Sequence, residues 1–180
     1  MSGSLIASPK PWRGPAPDWT GGWIPWNLIV GYSDDALLVI REAEVYPNGI
    51  EFLFRAQFRS NAFHLNPLAS RPELPGLGIE GGLHLSARFA DGRRTVDLSD
   101  SRGNCASTPP GPVLVARGGS GSLSEFRIRL WLWPLPPPGL LTWSVAWPQC
   151  GVSKTDTLID VSDINAVASQ AHPIWTPETA

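Results

Sequence analysis

Lysine, methionine and cysteine are scarce in this chain, which holds two Lys, one Met and two Cys in 180 residues. Twelve Arg make up the rest of the basic set, scattered along the sequence, and the formal net charge is -2. Proteins that grip a phosphate backbone carry a basic stripe, so nucleic acid is not an expected partner. No run approaches the roughly 18 apolar residues that cross a bilayer as a helix, so no membrane partner is expected either. Residues 1–19, MSGSLIASPKPWRGPAPDW, have neither the basic start nor the apolar stretch of a secretory signal. A cytoplasmic protein is therefore expected, with Cys105 and Cys150 as free reduced thiols. A Cys105–Cys150 bridge is the alternative, since both cysteines fall at loop-like positions.

Proline, glycine and tryptophan are abundant instead, at 19, 18 and nine residues. The prolines and glycines sit between apolar runs, the arrangement that many short strands with frequent turns require. The expected fold class is all-β, a two-sheet antiparallel sandwich of immunoglobulin-like or jelly-roll-like type with one short C-terminal helix. Residues 1–23 read as a Pro/Trp-rich N-terminal arm, residues 24–161 as the sandwich, and residues 162–180 as helix and tail. The arm region and its border hold Trp12, Trp19, Trp23 and Trp26, more indole surface than a free tail keeps in water. At least some of it is expected to dock on the body of the protein or on a partner.

Strands are expected at residues 26–30 and 36–46, the second with imperfect alternation that signals a bulge or burial on both faces. Tyr46-Pro47-Asn48-Gly49-Ile50 reads as a hairpin, with Asn-Gly supplying positive φ. The returning strand then points Ile50, Phe52, Phe54, Ala56 and Phe58 inward. Residues 60–80 suit a crossover between sheets. Asp91-Gly92 reads as a two-residue turn that sets Ala87 opposite Val96 and Leu85 opposite Leu98. Residues 113–116 form a short strand and residues 117–122 a flexible link. Residues 154–161 make the last strand, and Ser162 caps a helix over residues 163–171.

The richest stretch is FRIRLWLWPLPPPGLLTWSVAWP, residues 126–148. Phe126, Ile128, Leu130 and Leu132 alternate with Arg127, Arg129, Trp131 and Trp133, and Leu141, Trp143, Val145 and Trp147 alternate with small residues. This reads as two strands of one hairpin, with Trp143 and Trp147 buried beside Leu130 and Phe126. The outward face then carries Arg127, Arg129, Trp131 and Trp133, with Thr142, Ser144 and Ala146 across from them. Trp and Arg dominate interface hot spots, so these four are the candidate binding residues. The competing structural reading is that the arm or the terminal helix covers this face.

Other chemistry is weak. The glycine-rich residues 117–122 lack a phosphate-loop lysine and a following helix, and Ser120 lacks the context of a nucleophile elbow. His64, His84 and His172 match no metal spacing. Glu42 and Glu44 share a strand face, about 7 Å apart, which a solvated face explains far more cheaply than a glycosidase pair does. Asp156, Asp160 and Asp163 read as solubilising and capping residues. No catalytic residue, metal or cofactor is expected.

Three motifs, Val45-Tyr46-Pro47-Asn48-Gly49, residues 88–94 (RFADGRR) and Trp133-Pro134-Leu135-Pro136-Pro137-Pro138-Gly139, resemble a group of short actinobacterial proteins without assigned function. The similarity spans residues 24–175. It implies the strand plan and a cytosolic origin, and no activity. The expected function is a non-enzymatic protein-interaction or assembly module, its partner another protein or a second copy. The alternative is a carbohydrate-binding sandwich with exposed stacking tryptophans, and a hydrolase with a dispersed site ranks third.

Overall fold

The structure is a computed structural model that describes residues 10–65, 82–95 and 108–175. The chain is all-β and antiparallel. In order it forms β1 (Trp19–Thr20), β2 (Gly22–Ile24), β3 (Leu28–Tyr32), β4 (Ala36–Tyr46), β5 (Gly49–Phe58), β6 (His84–Arg88), β7 (Val113–Ser122), β8 (Glu125–Trp133), β9 (Leu140–Trp147), β10 (Val152–Asp160), the helix α1 (Ile164–Ala168) and β11 (His172–Pro173). The large sheet runs β2-β4-β5-β8-β7, with β3 also pairing β4, and the small sheet runs β10-β9-β6. β1 and β11 pair apart from both, which joins the N-terminal arm to the C-terminal tail.

Period-two patterning decides which faces meet. β5 turns Ile50, Phe52, Phe54, Ala56 and Phe58 into the core, and β8 turns Phe126, Ile128, Leu130 and Leu132 the same way. Leu141, Trp143, Val145 and Trp147 of β9 face them from the small sheet. Aromatic pairs lock the sheets together: Phe52 lies 5.0 Å from Trp143, and Phe58 meets Trp147 edge-on at 5.7 Å. Each such pair adds about 0.5–1.5 kcal/mol beyond the area it removes from water.

The hairpin expected over residues 126–148 is not one. β8 lies between β5 and β7 in the large sheet, and β9 lies between β10 and β6 in the small one. The proline-rich connection crosses from sheet to sheet, so the two apolar stripes meet face to face across the core instead of side by side. Both arrangements bury the same residues, and alternation alone cannot separate them. Thr142, Ser144 and Ala146 therefore stand on the outside of the other sheet, not across from the arginines.

Four smaller expectations are also corrected. The Tyr46–Ile50 turn centres on Pro47-Asn48, because Tyr46 pairs with Gly49, and neither Asn48 nor Gly49 takes positive φ. The turn after β6 has three residues, since Phe89 N–H donates to the Arg93 carbonyl and Arg88 bridges Arg94. Gly92 takes the left-handed conformation (φ 89°) that such a loop needs, and Val96 and Leu98 lie outside the described residues. The glycine run 117–122 is strand: β7 bulges at Arg117 and stays paired with β8 as far as Ser122. α1 is shorter than expected, and Asp163 occupies its N-cap. The Ser162 hydroxyl donates to Asp160.

Candidate functional site

The outer face of the large sheet holds the strongest cluster of polar and aromatic side chains. Strand register sets one lateral row across it. Trp23 lies opposite Glu44, Glu44 opposite Glu51, Glu51 opposite Trp131, and Trp131 opposite Val115. Burial rises along the row as far as Trp131. Trp23 is 58% exposed, Glu44 half-buried, Glu51 buried, and Trp131 has no exposed surface.

The arm causes that gradient. Trp131 Nε1–H donates to the Pro11 carbonyl at 3.0 Å. Trp12, itself buried, meets Trp133 edge-on with ring centroids 6.1 Å apart. Gly14 presses on the Arg117 side chain, and a Cβ there would come within 2.7 Å of the guanidinium carbon. Beneath the arm, Tyr46 sits edge-on to Trp131 at 5.8 Å. Gly49 is the other requirement: a Cβ would lie 2.5 Å from the Leu132 carbonyl and 2.6 Å from the Trp131 ring. The hairpin glycine is thus required by the close approach of β8, through the Leu132 carbonyl and the Trp131 ring, rather than by turn dihedrals.

Charge on this face is paired within the molecule. Arg117 Nη1 and Arg129 Nη1 donate to the two oxygens of Glu51 at 2.8 and 2.9 Å. The Glu51 hydrogen bond, foremost, keeps the Arg129 guanidinium more firmly protonated than usual. One strand end further, Arg55 and Arg127 both bond Glu125. Burial opposes the Glu125 charge, yet the hydrogen bonds from Arg127 and Arg55 outweigh it and hold the carboxyl below its ordinary range. The Tyr46 hydroxyl donates to Glu44 at 2.6 Å. Burial, then that hydrogen bond, push the phenol well above its usual pKa, so it stays protonated and serves as a donor.

Arg127, Arg129, Trp131 and Trp133 do share the outer face of β8, as alternation requires. Of the two readings of this face, exposed or covered, the tryptophans follow the second, with the arm as the cover. The two arginine side chains are 52% and 60% exposed, whereas Trp131 is fully buried and Trp133 half-buried. The arm that covers them is residues 10–18, and it ends in two short strands that the sequence reading did not foresee. Tyr46, Glu51, Arg117 and Trp12 complete the cluster. Only the outward register of Glu51 and the apolar excess of the arm signalled them in advance.

Reactive chemistry elsewhere is muted. Cys150 is an unbridged, buried thiol, pushed up to about 12 by burial and then by the Asp35 charge. A thiol so shifted stays protonated at neutral pH and is a poor nucleophile. Among the described residues no group of three or more His, Cys, Asp or Glu side chains could hold a metal. No described helix is long and apolar enough to cross a membrane. Cys105 itself lies outside the described residues.

Fold and site define a two-sheet β protein whose larger sheet is strapped on its outer face by an N-terminal Pro/Trp segment. No protein-family model matches the chain, and no curated protein or solved structure matches it either.

Proposed function

We propose that this protein is a non-enzymatic interaction module whose β8 outer face, centred on Trp131 and Trp133 and flanked by Arg127 and Arg129, binds polypeptide. One observation carries the reading: Trp131 Nε1–H donates to a peptide carbonyl, that of Pro11, while Trp12 packs on Trp133. An indole donor beside a second ring gives a chain segment both a polar anchor and an apolar seat. Arg127 and Arg129 keep exposed guanidinium surface at the rim, where charge steers encounter more than it adds affinity. In the free protein the seat is held by the arm.

The test uses the full-length Trp12→Ala variant, which loosens the arm. A synthetic peptide of residues 10–19 is titrated in while the indole N–H resonance of Trp131 is followed by NMR. A saturable shift, lost when Trp133→Ala is added, supports the reading. A resonance that does not move at any peptide concentration removes it.

A carbohydrate-binding role is the second reading, and a different residue favours it. Trp23 is 58% exposed on the same face and lies opposite Glu44, which sets a flat ring beside a carboxylate as sugar stacking requires. Quenching of tryptophan fluorescence by oligosaccharides, abolished by Trp23→Ala, would move the function to that end of the row.

A further inference from the structure

We propose that the arm is exchangeable between copies: residues 11–14 of one molecule seat in the Trp131/Trp133 groove of a second, and reciprocally, to give an arm-swapped dimer. The inference rests on the peptide-binding reading above and names its partner as a second copy of this chain. Three observations lead to it.

First, the arm is held without a sheet ladder. Among the described residues, the backbone bonds of residues 10–18 run from Arg13 N–H to the Lys10 carbonyl, from Trp19 N–H to the Ala16 carbonyl, and from Ile174 N–H to the Asp18 carbonyl. Pro11, Pro15 and Pro17 have no N–H to offer. Lifting residues 10–15 therefore leaves every paired strand of the large sheet intact. Second, the seat holds the arm less firmly than it could, in cis and in trans alike, because Trp12 Nε1 is buried without a hydrogen-bond partner, and this lowers the cost of lifting the arm. A buried donor left without an acceptor subtracts from the stability of closure. Third, the groove's specifications are met by one segment on view. It presents a carbonyl to Trp131, an indole to Trp133 and a residue without a side chain to Arg117. A second copy carries the identical segment, and its surface beneath is the identical groove, so exchange closes with two-fold symmetry.

The balance between the two forms follows from tethering. Closed monomer and swapped dimer make the same contacts, so the tether's effective concentration, on the order of millimolar for a short flexible link, decides between them. The wild-type chain is then monomeric at micromolar concentration. Disabling closure in cis removes that competition.

The experiment mixes two full-length variants, Trp12→Ala, whose groove is intact, and Trp133→Ala, whose arm is intact. The expected result in sedimentation velocity is a species of doubled mass in the mixture at concentrations where each variant alone is a monomer. Its association should be at least about tenfold tighter than that of either variant alone. Gly14→Leu in the arm donor should weaken it, since a side chain there displaces the Arg117 guanidinium from its bond to Glu51. Near-UV circular dichroism checks that both variants are folded, and Trp133→Leu replaces Trp133→Ala if the latter is not. A mixture that stays monomeric overturns the proposal. If the peptide of residues 10–19 still shifts Trp131 in Trp12→Ala, the second copy alone is lost as partner. If it does not, the peptide-binding reading falls with it.

Discussion

The two sheets present different outer faces. That of the large sheet carries Trp131, Trp133, Tyr46, Glu51, Arg117 and Arg129 under a strap of residues 10–18. That of the small sheet carries His84, Ser86 and Arg88 on β6, Thr142, Ser144 and Ala146 on β9, and Asp156 and Leu158 on β10. There the bonds are local and short in reach, Ser144 to Asp156 at 2.6 Å and Arg88 to Thr142 at 3.3 Å. Trp131 and Trp133 on β8 are covered by the arm, whereas Ser144 on β9 completes its surface by bonding a neighbouring strand. Outward alternation therefore does not by itself mark the solvent side of a sheet: Trp131 points outward and is fully buried.

Trp131 and Trp143 sharpen the contrast, because both are fully buried for different reasons. Trp143 is enclosed by the two sheets and lies against Phe52, while Trp131 is enclosed by a detachable segment. Trp143→Ala should therefore cost the most, about 3–5 kcal/mol, as a large-to-small change in a core that cannot collapse, seen as a large drop in the denaturation midpoint. Trp131→Ala should cost less, about 2–3 kcal/mol, because the arm can follow the vacated space. It should also speed tryptic cleavage after Arg13, which Trp143→Ala should not do before global unfolding. Equal cleavage rates in the two variants would mean that the arm is not what encloses Trp131.

Gly49→Ala comes next. The new methyl meets the Leu132 carbonyl and the Trp131 ring, and overpacking of this kind costs about 1–3 kcal/mol. Combined with Trp131→Ala its cost should shrink, since part of the obstruction is gone, and a double-mutant cycle measures the coupling. Full additivity would mean that the backbone clash alone sets the need for glycine.

The smallest effect lies at the exposed end of the face. Glu125 is held below its ordinary pKa by Arg127 and Arg55 against the opposing pull of burial. A depressed carboxylate contributes stability above its unfolded-state value, and that contribution is lost as pH falls through the folded-state value. Glu125→Gln should thus leave stability below that range nearly unchanged, lower it slightly at neutral pH, and flatten the acid limb of the stability profile. An unchanged acid limb would assign it to other carboxylates.

The chain by itself determined the all-β class, the inward sets of β5, β8 and β9, the bulged β4 and the outward placement of Arg127, Arg129, Trp131 and Trp133. Side-chain period and turn residues are local, and local spacing records them. It also announced, through four tryptophans in or beside the arm, that part of that arm would be docked. Tertiary structure alone decided that β8 and β9 belong to different sheets, because a period of two says which face is buried and not which strand lies alongside. It alone decided that residues 11–14 cover Trp131, that Glu51 collects Arg117 from a bulge 66 residues away and Arg129 from the next strand, and that Gly49 answers to the Leu132 carbonyl and the Trp131 ring of another strand. Each of these is a contact between segments remote in sequence, fixed by the packing of whole elements.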